Sequence, residues 1–293
     1  MALATPTSVR ERAIRSLEKL PPFSPVLNGL IASLTEEDVS FARIAELIEK
    51  DTVLAGNILK LVNSALYGLR NTVHSIRQAV PLLGIDKLRT AAMMMTMARM
   101  WKVKMPPGWS IERFNLHSIG VAILSDLLAQ RLNVPCRESA FAAGLFHDLG
   151  WLMLSVGLPE EYKQMALLRQ ESPKWMTDFE IGVLGATHAE LSAEGLAVWN
   201  LPKPIQNAVR YHLEPETDPT PLVEGQVTLS RIVHCADQHV RDLGILVKVF
   251  EDPSEDDANP LDALQLKGRL PSILSEFEYQ FSAVQPYFLT PAQ

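Results

Sequence analysis

The chain has 293 residues, 47% hydrophobic and 21% charged, a balance close to that of average globular proteins and unlike that of disordered chains. A net charge of −7 argues against nonspecific binding to nucleic acid or anionic lipid, and no Lys/Arg-rich run offsets it. Two isolated cysteines, Cys136 and Cys235, suit a reducing cytosol better than a disulfide scaffold.

Helical periodicity dominates from the start. Phe41, Ile44, Leu47 and Ile48 fall three and four apart, which places them on one helical face behind Ser40. Asp51 or Thr52 offers a cap to a second helix carrying Val53, Leu54, Ile58, Leu59, Leu61 and Val62. Ser75 caps a third, with Ile76, Ala79, Val80 and Leu83 inward, a bend at Pro81 and a stop at Gly84. Asp86 then opens the long helix DKLRTAAMMMTMARMW. The segment MPPGW (105–109) breaks the pattern and marks an internal boundary.

Beyond it, LHSIGVAILSDLLAQRLNV and SAFAAGLFHDLGWLMLSVG read as two strongly apolar helices, followed by GATHAELSAEGLAVWNL and PIQNAVRYHLEP. Residues 215–225 and the acidic stretch 251–260 read as loops, and Pro271 to Phe288 as a last docked helix. GILVKVF (244–250) fits strand and helix equally. The first residues lack the apolar core of a signal peptide, and no stretch approaches the ~20 apolar residues that span a bilayer, so a cytoplasmic protein is expected.

Chemistry concentrates in the second half. His147 and Asp148 are adjacent in GLFHDLG; neighbouring helical residues point about 100° apart, so the two can share a metal only near a helix end, where Gly150 would relax the backbone. His117 lies on the preceding helix, His188 on a later one, His212 closes another, and Asp237 follows in IVHCADQHV. Imidazole and carboxylate ligands suit iron, manganese or zinc. A single histidine is more often a surface or hydrogen-bonded core residue, but a His–Asp pair inside an apolar segment is costly to bury unpaired.

The segments LPPFSPVL (20–27) and IAELIEKDTVLAGNILKLVNSALYGLRNTVHSIRQAVPLLGIDKLR (44–89), above all VNSALYG, resemble the HDOD domain, the regulatory branch of the HD superfamily of metal-dependent phosphohydrolases. The resemblance covers about residues 15–215, with an HD-like extension to about 240. It implies an all-α fold of two packed helical lobes, the second HD-like, and a role in bacterial signal transduction. The corresponding divisions are an extension over 1–14, a first lobe over 15–105, an HD-like lobe over 106–245, and an acidic loop with helical tail over 246–293. It also implies His117, His147, Asp148, His188, His212 and Asp237 as ligands for one or two divalent ions. Cyclic-dinucleotide phosphodiesterases of the HD-GYP type carry a lysine where this chain has Trp151, and their Gly-Tyr-Pro segment is absent after His212, so that activity is not expected.

Two functions from different classes remain. The first is a regulatory module that works through a protein partner, with the metal structural or sensory. The second is a metal-dependent phosphohydrolase acting on a nucleotide or other phosphoester, with Asp148 catalytic and Arg210, Arg113 and Lys203 as candidate phosphate contacts. The methionines Met93, Met94, Met95, Met97, Met100 and Met105 read as core filler rather than a partner surface. Asn63 is balanced between a ligand contact and a buried hydrogen-bonding role.

Overall fold

The computed structural model describes residues 8–16, 24–34, 36, 39–64, 67–100, 109–171, 176–247, 259–266 and 268–289. Helices α1 (Val9–Arg15), α2 (Pro25–Ala32), α3 (Phe41–Glu49), α4 (Thr52–Val62), α5 (Ile76–Leu83) and α6 (Ile85–Met100) come first. Side-chain caps set their starts: Ser24, Ser40, Asp51 and Ser75 each accept the backbone N–H three residues on. Gly84 ends α5 at φ +85°, a conformation that favours glycine. Helices α2 to α6 pack on one another around Leu27, Leu30, Ile44, Ile48, Ile58 and Leu88, forming the first lobe. Phe41 and Val53, expected inside, are 55% and 57% exposed: Phe41 shares the face of Ile44 and Ile48 but is the first residue of α3, and Val53 points away from Leu54, Ile58, Leu61 and Val62.

Asn63 resolves in favour of structure. Its amide donates to the Val73 and Leu59 carbonyls at 2.8 and 2.9 Å, and its Oδ1 accepts the Val73 N–H at 2.7 Å. The side chain therefore grips both backbone polar groups of one distant residue, Val73, and pins the connection between α4 and α5. Met93, Met94 and Met95 are buried core, as expected; the side chains of Met97 and Met100, and Met105 with most of MPPGW, lie outside the described residues.

The second lobe is built from α7 (Ile111–Ala129), α8 (Ala140–Phe146), α9 (Leu149–Gly157), α10 (Pro159–Glu171), α11 (Met176–Leu184), α12 (His188–Val198), α13 (Lys203–Arg210) and α14 (Leu229–Asp242). Helix α7 is its axis, packed by α8 and α14 and, from the C-terminal side, by α15 (Leu270–Val284) and α16 (Pro286–Leu289). Helix α1 docks on α9 and α12, with Arg10 paired to Glu194 and Arg12 to Glu161. The architecture is all-α, with two packed helical lobes. No strand occurs among the described residues.

One expectation fails here. Arg137–Gly157 is apolar and long enough, by composition, to cross a bilayer, yet 89% of its most apolar window is buried inside the protein. The segment is not one helix but two, α8 and α9, broken at His147–Asp148. Its apolar character serves the core. The undecided segment after α14 leaves the helix at Leu243, and its last three residues lie outside the described ones.

Candidate metal centre

Two close helix crossings assemble the site. At the first, α8 crosses α7 at Gly144, where a Cβ would lie 2.8 Å from the Ala122 Cα and the Val121 carbonyl. At the second, Gly150 lets α9 approach the start of α12, where a Cβ would lie 2.2 Å from the His188 carbonyl oxygen. Gly150 thus serves close approach and not backbone relaxation, since it is absent from the residues with positive φ. Ser192 stitches the second crossing, accepting the Gly150 N–H at 2.7 Å and donating to His188 O at 2.8 Å. The break between α8 and α9 turns Asp148 (φ −98°, ψ 13°) out of the helical path, so that the doublet faces one space.

The six expected side chains converge there. His117 Nε2 lies 3.2 Å from His147 Nε2 and 3.1 Å from Asp237 Oδ1, and His188 Nε2 lies 3.2 Å from Asp148 Oδ1. His147 and His212 ring centroids are 5.1 Å apart, those of His188 and His212 5.5 Å. Three overlapping sets have ligand atoms within 4.8 Å of one another: His117–His147–Asp148, His147–His212–Asp237 and Asp148–His188–His212. All six residues are buried.

The donor set fits a divalent ion on chemical grounds. Every histidine spends its Nδ1 on an outward acceptor: His117 on Ile245 O at 2.7 Å, His147 on Gly144 O at 2.8 Å, and His212 on Val209 O at 2.7 Å. His188 uses the Glu180 carboxylate at 2.8 Å. An N–H on Nδ1 in each case leaves the Nε2 lone pair facing inward, the arrangement that metal-ligating histidines adopt. Both Asp148 oxygens and the Nε2 atoms of His188 and His212 are buried without a well-aligned hydrogen bond. An ion coordinated there would satisfy them.

Charge follows the same logic. Burial opposes ionisation of Asp148, but His147, His188 and His117 outweigh it and hold its carboxyl well below the ordinary range. Burial likewise opposes Asp237, which Arg241, His117 and His147 hold low. His212 is pushed down to about 3 by burial and by its histidine neighbours, and so stays neutral. For His188, burial is outweighed by Glu180 and Asp148, which raise it to about 9.

Glu180 and Arg241 escaped the sequence reading. Glu180, fully buried on α11, also accepts the His188 backbone N–H at 2.8 Å. No motif announces it. Arg241 donates to Asp237 Oδ1 at 2.9 Å, and the i,i+4 spacing on α14 was a readable signal. The candidate phosphate contacts have partners or exposure of their own. Arg210 faces Glu190 and Glu194 at 3.8 and 3.6 Å, Lys203 donates to Gln206 at 3.0 Å, and Arg113 is exposed in the first turn of α7. Trp151 lies over His188, ring centroids 5.1 Å apart at 29°.

Glu180 yields a prediction with a definite sign. His188, raised from 6.5 to about 9, is protonated near pH 7.5 in the metal-free protein. Its stabilising charge is complete below about pH 6.5 and is lost as pH rises through about 9. Metal must displace that proton, so uptake at pH 7.5 should release about one proton, and affinity should climb with pH toward 9. Glu180→Gln should release less and bind metal about 10–100-fold more weakly. Calorimetry in buffers of different ionisation enthalpy measures both, and buffer-independent heats in the parent would refute the assignment.

The described residues thus form an all-α bundle around a buried His/Asp cluster. The HDOD domain family model matches residues 20–215, and the chain belongs to that family. An HDOD domain protein of Geobacter sulfurreducens superposes with a TM-score of 0.74 at 21% identity, covering 95% of this chain and 96% of that one. A Shewanella amazonensis chain provisionally named a phosphohydrolase superposes with a TM-score of 0.71 at 22% identity, over 94% and 98% of the two chains. These likenesses concern the fold. Among curated proteins, an uncharacterised Treponema pallidum protein is 25% identical over 202 residues, 67% of this chain and 38% of its own length. The cyclic di-GMP phosphodiesterase CdgJ of Vibrio cholerae is 30% identical over 125 residues, 42% of this chain and 28% of its own. The chain therefore spans less than two fifths of these relatives.

Proposed function

We propose that the chain is a regulatory signal-transduction module that acts through a protein partner, and that its His/Asp pocket holds a divalent metal in a structural or sensory role. The closure of the pocket carries this reading. None of the six ligand residues exceeds 4% exposure, and the Trp151 indole covers His188 where a lysine would meet substrate phosphate in related phosphodiesterases. A hydrolytic centre needs an open coordination position and cations facing the substrate. In support, Arg241 is engaged by Asp237, Arg210 faces Glu190 and Glu194, and Arg113 and Lys203 are exposed.

The second reading, an HD-type phosphohydrolase, draws on the completeness of the donor set and the two orphaned oxygens of Asp148. A divalent ion there would supply an acidified water ligand. In that reading Asp148 and His188 hold the ion, Glu180 fixes the imidazole, and the closed pocket excludes bulk water.

Metal analysis of the purified protein, followed by a phosphatase and nucleotidase screen with and without Mn²⁺, separates the two. The expected result is bound metal without turnover. Robust Mn²⁺-dependent hydrolysis that disappears in Asp148→Ala would overturn the proposal.

A further inference from the structure

The family pattern VNSALYG is not absorbed by the metal centre, and its structural consequence lies elsewhere. Asn63 pins the α4–α5 connection to Val73, and that connection carries Tyr67 to the wall of a cavity of about 370 Å³. The cavity lies where both lobes and the C-terminal helix meet: Asp86 and Met94 come from α6, Ile123 and Asp126 from α7, Glu276 and Tyr279 from α15. We propose that this interlobe cavity binds a small amphipathic organic cation, whose ammonium or amidinium group pairs with Asp126 while its body lies against Met94 and Ile123.

The charges lining the cavity define the ligand. Arg131 is committed to Glu276 at 3.2 Å, and Arg89, behind the wall, to Asp86 at 2.7 Å and to Ser33 O at 3.2 Å. Among the described residues, the hydrogen bond that Asp126 accepts comes from a neutral group, the Gln130 amide at 2.7 Å. Burial, reinforced by Asp86 and Glu276, pushes its carboxyl up to about 6 against the pull of Gln130 and Arg89. An anionic ligand would meet three carboxylates here, Asp86, Asp126 and Glu276, against two cations, Lys87 and the Glu276-bound Arg131. A cation relieves the half-buried Asp126, whose close partner is a neutral amide, and such a charge-assisted pair strengthens as water is excluded by the ligand. Tyr67 and Tyr279 add two aromatic rings to the lining, and aromatic faces attract organic cations. The site shares no residue with the metal centre, so it stands or falls independently of the function proposed above.

The test is calorimetry on the full chain with tyramine and agmatine as probes, and 4-hydroxyphenylacetate and glutarate as anionic controls. One-to-one binding of at least one cation, at low-millimolar affinity or better, with no anion binding, is expected. Asp126→Asn removes the charge isosterically and should weaken the cation by roughly tenfold or more, the lower end of what unpairing a desolvated charge costs, since Asp126 is half-buried. Because desolvation and the neighbouring Asp86 and Glu276 carboxylates disfavour the Asp126 charge, that variant should melt no lower than the parent and keep its metal content. Binding unchanged in Asp126→Asn, or no saturable cation binding by the parent, overturns the proposal. So does binding that emerges only in Lys87→Ala, since the Lys87 ammonium, which also lines the cavity, would then be the resident counter-ion.

Discussion

His147→Ala is expected to empty the metal centre and to abolish the rise in melting temperature that added metal gives the parent. His147 belongs to two of the three ligand sets, and its Nε2 stands 3.2 Å from His117 Nε2, 3.5 Å from Asp148 and 3.6 Å from Asp237. No neighbouring side chain replaces it, because all are held by their own outward partners. At a thousandfold excess of free ion over Kd the parent gains about 4 kcal/mol of stability, which the variant forgoes. Metal content per chain and melting curves with and without Mn²⁺, Zn²⁺ or Fe²⁺ measure this. Full metal retention by His147→Ala would remove the residue from the centre, and identical melting of the parent in chelator and in metal would remove the metal itself.

The second large effect falls on a residue with no side chain. In Gly150→Ala the new methyl would stand 2.2 Å from the His188 carbonyl oxygen and 2.9 Å from its carbon, both backbone atoms that no rotamer change can move. Helices α9 and α12 must separate, which costs about 1–3 kcal/mol, occasionally more, for overpacking alone. The Gly150–Ser192–His188 hydrogen bonds are lost with it, at about 1 kcal/mol each. Alanine's better helix propensity returns only about 1 kcal/mol, so the variant is destabilised. Metal affinity falls as well, since Asp148 and His188 flank the crossing. Gly182→Ala is the control: nothing lies within 4 Å of its Cβ position in α11, and propensity alone should stabilise it slightly. Denaturant melts of the pair decide the point, and equal stability of Gly150→Ala and the parent would contradict the crossing geometry.

The helices were legible because their apolar spacing and their serine or aspartate caps are local signals, as at Ser40, Asp51 and Ser75. The ligand residues were legible as types, and the fold brings all six together. The break between α8 and α9 was legible only as the need for the doublet to sit near a helix end, and the apolar run GLFHDLGWLML, which holds no proline, still read as one helix. The supports of the histidines were not legible. Three are backbone carbonyls, of Gly144, Val209 and Ile245, which any residue supplies. The fourth, Glu180, lies eight residues before His188 and resembles a surface glutamate until α11 folds against the start of α12. Arg210, Arg113 and Lys203 were nominated by charge, and Arg210 also by its closeness to His212, but neither signal says which way a helix faces.

The outward anchoring of all four histidines bears on how fast the centre exchanges its ion, as distinct from how tightly it holds it. No ligand residue is more than 4% exposed, and each imidazole is tethered by a partner that must release before the ring can swing. An ion can then leave only when the helices themselves part, an opening governed by the local unfolding free energy. Chelators of very different strength should strip the metal at one common rate, independent of chelator concentration once it is in excess. That rate should accelerate in Gly150→Ala, where the α9–α12 crossing is already loosened. On this scaffold, the lifetime of the bound ion becomes a clock for the breathing of the second lobe.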